Sequence, residues 1–240
     1  IIVISRNPRV FFNKYPEFEK LEWLKFVTGD IKNIELFKIN VDYIIHGATE
    51  TSVLAHSRPI EMLDNILYGT KNILKIAKIN KVKKMLLISS GAVYGPVPEN
   101  IKYVNENQFF AHDPLMNDSA YAQGKRCMEL LGSIFNDKQH TDIVIARCFA
   151  FMGAGIPFNG QFALGNFIRD AISSDVICIN GNPQTKRSFL HAADLIIWLM
   201  IVLLKGQPKN AYNVGSMKDI SILDLAKKIK NILSPNKEIV

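Results

Sequence analysis

KKMLLISSGAVYG, residues 83–95, carries two lysines into a short apolar run and then stops on two serines, Gly91 and Ala92. An apolar run that ends in small and hydroxyl residues reads as a buried strand leading into a tight turn. Residues 83–90 are therefore expected as a strand. Ser90 then stands at its carboxyl end, where open α/β sheets gather their ligand contacts.

The same pattern recurs on either side. IIVIS (1–5), WLKFVTGD (23–30), VDYIIHGA (41–48) and DIVIARCF (142–149) read as further strands. Residues 59–80 set Met62, Ile66, Ile73 and Ala77 at helical spacing, with Pro59 at a first-turn position. Residues 119–139 read as a second long helix. Near-continuous apolar strands alternating with helices predict an α/β fold, a doubly wound, Rossmann-like parallel sheet covered on both faces. Beyond about residue 150 the elements shorten, at 165–173, 175–180, 191–205, 212–216 and 222–233. They predict a smaller C-terminal substrate lobe. The expected division is 1–150 for the dinucleotide-binding part and 151–240 for the lobe, which interleaves with the last sheet strands. Dinucleotide-binding sheets open on strand, glycine-rich loop and helix. The sequence holds no GxGxxG, so the first βα unit is expected to be absent from this chain.

Composition bounds the function. At 240 residues and 48% hydrophobic, the chain can bury one sizeable core. It has no apolar window of about 18 residues, so no membrane span is expected. LIIWLMIVLL, 195–204, is short and bounded by Asp194 and Lys205, and is expected as a buried core helix. Cys127, Cys148 and Cys178 form neither a metal nor a disulfide spacing, and the five histidines are dispersed. A reducing, cytoplasmic setting without a signal peptide or a metal site is the expectation. The net charge of +7 is spread over the polar sides of helices, which makes a nucleic-acid partner unlikely and suits an anionic substrate.

Tyr121 and Lys125 form Tyr-x-x-x-Lys, one helical turn apart on one face. An ammonium beside a phenol favours the phenolate, which makes a general acid/base for a sugar hydroxyl or a ketone. The pair alone is a weak signal. In order along the chain, however, stand VISRNP, GDI, DYIIHGAT, NILYGTKNIL, SSGAVYG, YAQGK, ARCFAFMG, TKRSFLHAADL and YNVGS. This series resembles the extended short-chain dehydrogenase/reductase family, in its nucleotide-sugar epimerase/dehydratase group, over almost the whole chain.

The resemblance implies a role for each matching position. Tyr121 would be the acid/base, Lys125 its partner at the nicotinamide ribose, and Ser90 the donor to the reacting oxygen, with Asn65 as the fourth catalytic position. Asp30 and Ile31 would flank the adenine, and Gly47, Ala48 and Thr49 would pack along the cofactor. Ser5, Arg6 and Asn7 occupy the stretch that selects NAD or NADP. With no carboxylate there and Arg6 able to meet a 2′-phosphate, NADP is favoured over NAD. Tyr94, Asn166 and Arg187 would bind substrate beside Ser90, Arg187 at the diphosphate. A homodimer through the helices at 59–80 and 119–139 is also implied.

Two departures narrow the chemistry. Nucleotide-sugar 4,6-dehydratases place Asp-Glu after the catalytic Ser/Thr, where this chain has Gly91-Ala92. Glu106 lies in a later loop. The family's RxxNVYG is here Arg147-Cys148-Phe149-Ala150-Phe151-Met152-Gly153, so Ala150 stands where the family's substrate-contacting Asn would be and Asn166 is the candidate substitute. The leading expectation is an NAD(P)-dependent epimerase or ketoreductase. The alternatives are a 4,6-dehydratase with an atypical acid/base pair, and a non-catalytic dinucleotide-sensing or RNA-binding relative.

Overall fold

The structure, a computed structural model, describes residues 1–35, 38–110, 112–138, 141–160 and 162–240. Strands β1 (Ile2–Ser5) and β2 (Lys25–Thr28) pair in parallel, joined through helix α1 (Pro8–Lys14). Then come β3 (Tyr43–His46), the short helix α2 (Val53–His56), α3 (Pro59–Ile79), β4 (Lys84–Ser90), α4 (Ala120–Lys138) and β5 (Asp142–Cys148). The expected helix 119–139 is thus found over 120–138, and Gln139 lies outside the described residues.

In the second half β6 (Phe151–Met152), α5 (Ala163–Ser173), β7 (Val176–Ile177), β8 (Lys186–Ser188) and β9 (Leu190–His191) precede α6 (Ala192–Lys205). The chain closes with β10 (Ala211–Val214), β11 (Asp219–Ser221), α7 (Ile222–Leu233) and β12 (Glu238–Ile239).

The central sheet is parallel, in the order β10-β5-β4-β3. Met85, Leu86 and Leu87 of β4 are fully buried, as a strand covered on both faces requires. On one face α3 and α4 bring Met62, Ile66, Ile73, Ala77 and Met128 onto Met85, Leu87 and Ile143. The two helices pack closely: a Cβ on Gly124 of α4 would lie 2.8 Å from Cδ1 of Ile66. On the other face α6 sets Leu195, Leu199, Val202 and Leu203 against Leu86, Val144 and Val214. Helices α5 and α7 enclose a separate core around Phe167, Ile177, Leu225 and Ile229.

The expected α/β fold with a parallel sheet is present, in two pieces because β1–β2 is not hydrogen-bonded to the four-stranded sheet. Ile4 of β1 and Ile44 of β3 still pack on the same core. A continuous doubly wound sheet needs a strand between β1 and β3, and none of the described strands fills that position. One expectation, the burial of α6 on all sides, is corrected: the helix is buried on one face only, with Ile196, Ile197, Trp198 and Ile201 exposed on the other. A run of apolar residues gives no period from which a sided burial could be read. No described helix is long and apolar enough to cross a membrane.

Candidate active site

Three expected residues meet where β4 ends. Ser90 caps the 3-10 turn Gly91–Tyr94, its Oγ accepting from the Ala92 N–H at 3.1 Å. Tyr121 stands in the first turn of α4, its hydroxyl near enough to Ser90 for that side chain to pull its pKa down. Lys125, one turn on, is only 2% exposed. Its Nζ donates to Thr49 Oγ1 at 2.9 Å and to the Ile88 carbonyl at 2.8 Å, tying α4 to the ends of β3 and β4.

The electrostatics differ from the expectation drawn from Tyr-x-x-x-Lys. Nζ of Lys125 lies 5.9 Å from the Tyr121 ring centroid, and its hydrogen bonds go elsewhere. Burial dominates at Tyr121 and pushes its pKa up, against the pull of Ser90. Burial also lowers Lys125 to about 8, opposed by Cys148 and Glu129. Nearby His46 is held down to about 4, by burial first and the Lys125 charge second. Its Nε2 lies 3.2 Å from Thr70 Oγ1, whose own proton goes to the Ile66 carbonyl at 2.6 Å. The neutral imidazole therefore donates from Nε2. Burial raises Cys148 to about 11, so it remains a thiol.

At the first position of the turn after Ser90 a side chain would press on Phe149. A Cβ on Gly91 would stand 2.8 Å from Cε1 of Phe149. The Ala92 carbonyl is engaged by Nε2 of His112 at 2.8 Å. Glu106 does not reach the site to compensate, because its Oε1 accepts from the Asn213 N–H at 2.8 Å. Gly91→Asp is therefore expected to cost about 1–3 kcal/mol through overpacking against Phe149. Urea unfolding measures this, and Phe149→Ala in the same chain is expected to return most of it.

At the expected cofactor side, Asp30 Oδ1 accepts from the Lys32 N–H at 2.9 Å, and Ile31 packs against the α3 core. Asn72 of α3 donates to the carbonyls of Ile31 and Lys32 at 2.9 and 2.8 Å, which fixes this loop. Asn65 lies half-buried on the same helix. Gly47 and Ala48 continue from β3 to Thr49, whose N–H donates back to the Gly47 carbonyl at 2.9 Å. Ser5 Oγ accepts from the Asn7 N–H at 3.3 Å. Arg6 forms an exposed ion pair with Glu50 at 3.3 Å. The carboxylate of Asp30, the hydroxyls of Thr49 and Tyr121 and the ammonium of Lys125 thus stand at the C-terminal ends of β2 and β3 and on α4. That donor set fits ribose hydroxyls and a nicotinamide.

At the expected substrate side, a cleft of about 740 Å³ is lined by Thr51, Phe149, Ala150, Asn166 and Arg187 among others. Arg187 is exposed on β8, with Nη1 donating to the Lys186 carbonyl at 2.8 Å. The Asn166 amide already donates to the Gly160 carbonyl at 3.0 Å and accepts from Arg169 at 3.4 Å. Tyr94 is a correction. It is 0% exposed, and its hydroxyl donates to Asn213 Oδ1 at 2.6 Å and accepts from Arg147 Nη1 at 3.1 Å. It frames the Ser90 turn from behind and cannot reach a ligand in the cleft.

The sequence reading missed several neighbours. The His56 ring lies 5.7 Å from that of Tyr121, with no motif to mark it. Glu129 continues the Tyr121–Lys125 stripe by another turn, and extending that spacing would have found it. It pairs with Arg147 of β5 at 2.7 Å, both side chains nearly buried.

Residues 2–215 match the model of the NAD dependent epimerase/dehydratase family. UDP-glucuronic acid decarboxylase 1 of Danio rerio is 28% identical over 219 residues, covering 91% of this chain and 51% of that protein. dTDP-D-glucose 4,6-dehydratase of Mus musculus is 27% identical over 216 residues, covering 87% and 58%. The chain thus spans about half the length of the curated relatives it matches. Among solved structures, UDP-glucuronic acid 4-epimerase from Bacillus cereus, in complex with NAD, superposes with a TM-score of 0.80 at 22% identity, covering 100% of this chain and 78% of that one. At that identity the likeness is one of fold.

Proposed function

This chain belongs to the NAD-dependent epimerase/dehydratase family, and from that premise we propose that it acts on a nucleotide-diphosphate sugar by hydride transfer at a sugar carbon, as an epimerase or ketoreductase. The observation that carries this reading is the meeting of Ser90, Tyr121 and Lys125 beside a turn in which Phe149 fills the space next to Gly91. Oxidation of a sugar alcohol needs one group to take the hydroxyl proton and another to accept the hydride. Elimination of water needs a further acid/base pair, and the turn does not offer one.

Bound NAD(P) would supply the hydride acceptor, whose oxidised ring carries a positive charge. Asp30 would flank its adenine, and Thr49 and Lys125 would stand at its ribose hydroxyls. Tyr121 takes the hydroxyl proton as the carbon–hydrogen bond of the sugar breaks, and Ser90 donates to the oxygen that becomes the ketone. In the reductive direction the burial-raised phenol returns its proton to that oxygen. For an epimerase the ketose turns over before the hydride returns, and the open cleft toward Arg187 gives it room. Arg187 suits the substrate diphosphate.

To test this, the chain is mixed with UDP-, dTDP-, GDP- and CDP-hexoses and NAD(P), and products are followed by mass spectrometry and NMR. Epimerised or reduced sugar supports the reading. Loss of water from a dTDP- or CDP-hexose instead establishes dehydration, and no turnover of any hexose sinks both.

Arg6 favours NADP, although a 2′-phosphate must share it with Glu50. Arg6→Ala is expected to weaken NADP binding about tenfold or more, the worth of one charge-assisted hydrogen bond, and to leave NAD binding unchanged. Calorimetric titration of both cofactors decides it, and equal losses for the two would remove the preference.

A further inference from the structure

Behind the site lies a charged cluster that the reaction above does not use. Glu129 is clamped from two strands. Arg147 of β5 donates to it from Nη2 at 2.7 Å and from Nε at 3.1 Å, and Ser89 of β4 donates to Oε1 at 2.5 Å. Arg147 is itself held, its Nη1 donating to the Tyr94 hydroxyl and to the Glu106 carbonyl at 2.9 Å. The side chains of Arg147 and Glu129 are 5% and 13% exposed. Glu129 sits one turn beyond Lys125, which sits one turn beyond Tyr121, so the clamp and the reacting pair share one stripe of α4. Ser89 and Ser90 are neighbours on β4. Movement of Glu129 is therefore transmitted along a rigid helix in one direction and to the Ser90 turn in the other.

We propose that Glu129 is a positioning residue of this site: gripped by Arg147 and Ser89, it fixes the axial position of α4 against the ends of β4 and β5, so that Lys125 reaches the Ile88 carbonyl and Tyr121 reaches Ser90. The proposal rests on the hydride-transfer reading for its kinetic consequences. Its charge matters as well as its grip. Lys125 faces Thr49 beyond β3 and His46 at its end, the Ile88 carbonyl of β4, Cys148 of β5, and Tyr121, Met128 and Glu129 on its own helix. His46 is neutral above about 4 and Cys148 below about 11. Glu129 is thus the anion in this group that opposes the burial of the Lys125 ammonium at working pH.

The sign follows from charge. Glu129→Gln removes that anion and leaves the burial of Lys125 less opposed. Lys125 then gives up its proton at a lower pH than in the wild type, whose midpoint is expected near 8. The experiment titrates ε-13C-lysine-labelled protein by NMR, with the Lys125 signal identified by its loss in Lys125→Met. Turnover and KM are measured in parallel. In Glu129→Gln the midpoint is expected to fall, the pH at which kcat levels off to fall with it, and kcat to drop about tenfold or more while KM stays within about threefold.

Glu129→Asp keeps the charge but cannot span Ser89 and Arg147 together. It is expected to leave the Lys125 midpoint in place and still lower kcat, which separates grip from charge and keeps the test alive if Glu129→Gln does not fold. A folded Glu129→Gln with an unmoved Lys125 midpoint overturns the charge role. Wild-type kcat in Glu129→Asp and in Ser89→Ala overturns the positioning role. The titration is read without substrate, so a protein that turns over none of the hexoses refutes the proposed reaction and leaves the coupling of Glu129 to Lys125 measurable.

Discussion

Tyr121→Phe is expected to abolish most turnover, by about 10²–10⁴-fold, the usual worth of a positioned acid/base. The substitution keeps the ring, which faces His56 at 5.7 Å and Lys125 Nζ at 5.9 Å, and removes the hydroxyl beside Ser90. Packing is therefore retained, and cofactor and substrate affinities should change little. Burial raises the phenol, so its basic form grows as pH rises. Lys125 loses its charge above about 8. Oxidative turnover in the wild type is thus expected to climb with pH and to level off as Lys125 deprotonates. In Tyr121→Phe the residual rate should lack the rising limb. Stopped-flow nicotinamide fluorescence and product NMR measure both. A Tyr121→Phe protein with the rate and pH profile of the wild type would refute the assigned role of Tyr121.

How much of this was legible depended on the range over which each signal acts. The strand expected at 83–90 and the helices expected at 59–80 and 119–139 are written in local hydrophobic spacing, and the structure has them at 84–90, 59–79 and 120–138, residue 139 lying outside the described residues. The meeting of Ser90, Tyr121 and Lys125 was legible because one strand end and one helical turn set it. Tyr94 was misread because sequence does not say to which side of a turn a ring falls. Its ring is drawn inward by Arg147 and Asn213, which lie 53 and 119 residues away in the chain. Helix α1 was overlooked, although Pro8 at its first turn was the available signal. The space between Gly91 and Phe149 could not be read either. Gly91 shows that no acid is present, but only the structure shows that a side chain there would press on the ring of Phe149.

Arg147→Leu should then destabilise the fold by about 3–5 kcal/mol, the cost of leaving one partner of a buried pair unmatched. The loss has three parts in one place. The Glu129 carboxylate, 13% exposed, keeps only Ser89 among the partners found here. The buried Tyr94 hydroxyl loses a donor, and so does the Glu106 carbonyl. The guanidinium also stacks 4.9 Å from the Tyr94 ring and 5.2 Å from that of Phe109, contacts that a leucine only partly replaces. Those partners come from the turn after β4, the 104–110 loop and α4. The damage should therefore appear as faster amide exchange in all three segments, ahead of global unfolding. A second variant separates charge from shape. Arg147→Leu with Glu129→Leu removes the orphaned anion and is expected to recover much of the lost stability, because a buried ion pair is often no more stabilising than an apolar pair of similar size. Restored stability without restored turnover would assign the pair to catalysis over folding. A single Arg147→Leu that costs less than about 1 kcal/mol in urea unfolding would mean that water reaches Glu129 and that the cluster is not the closed clamp described above.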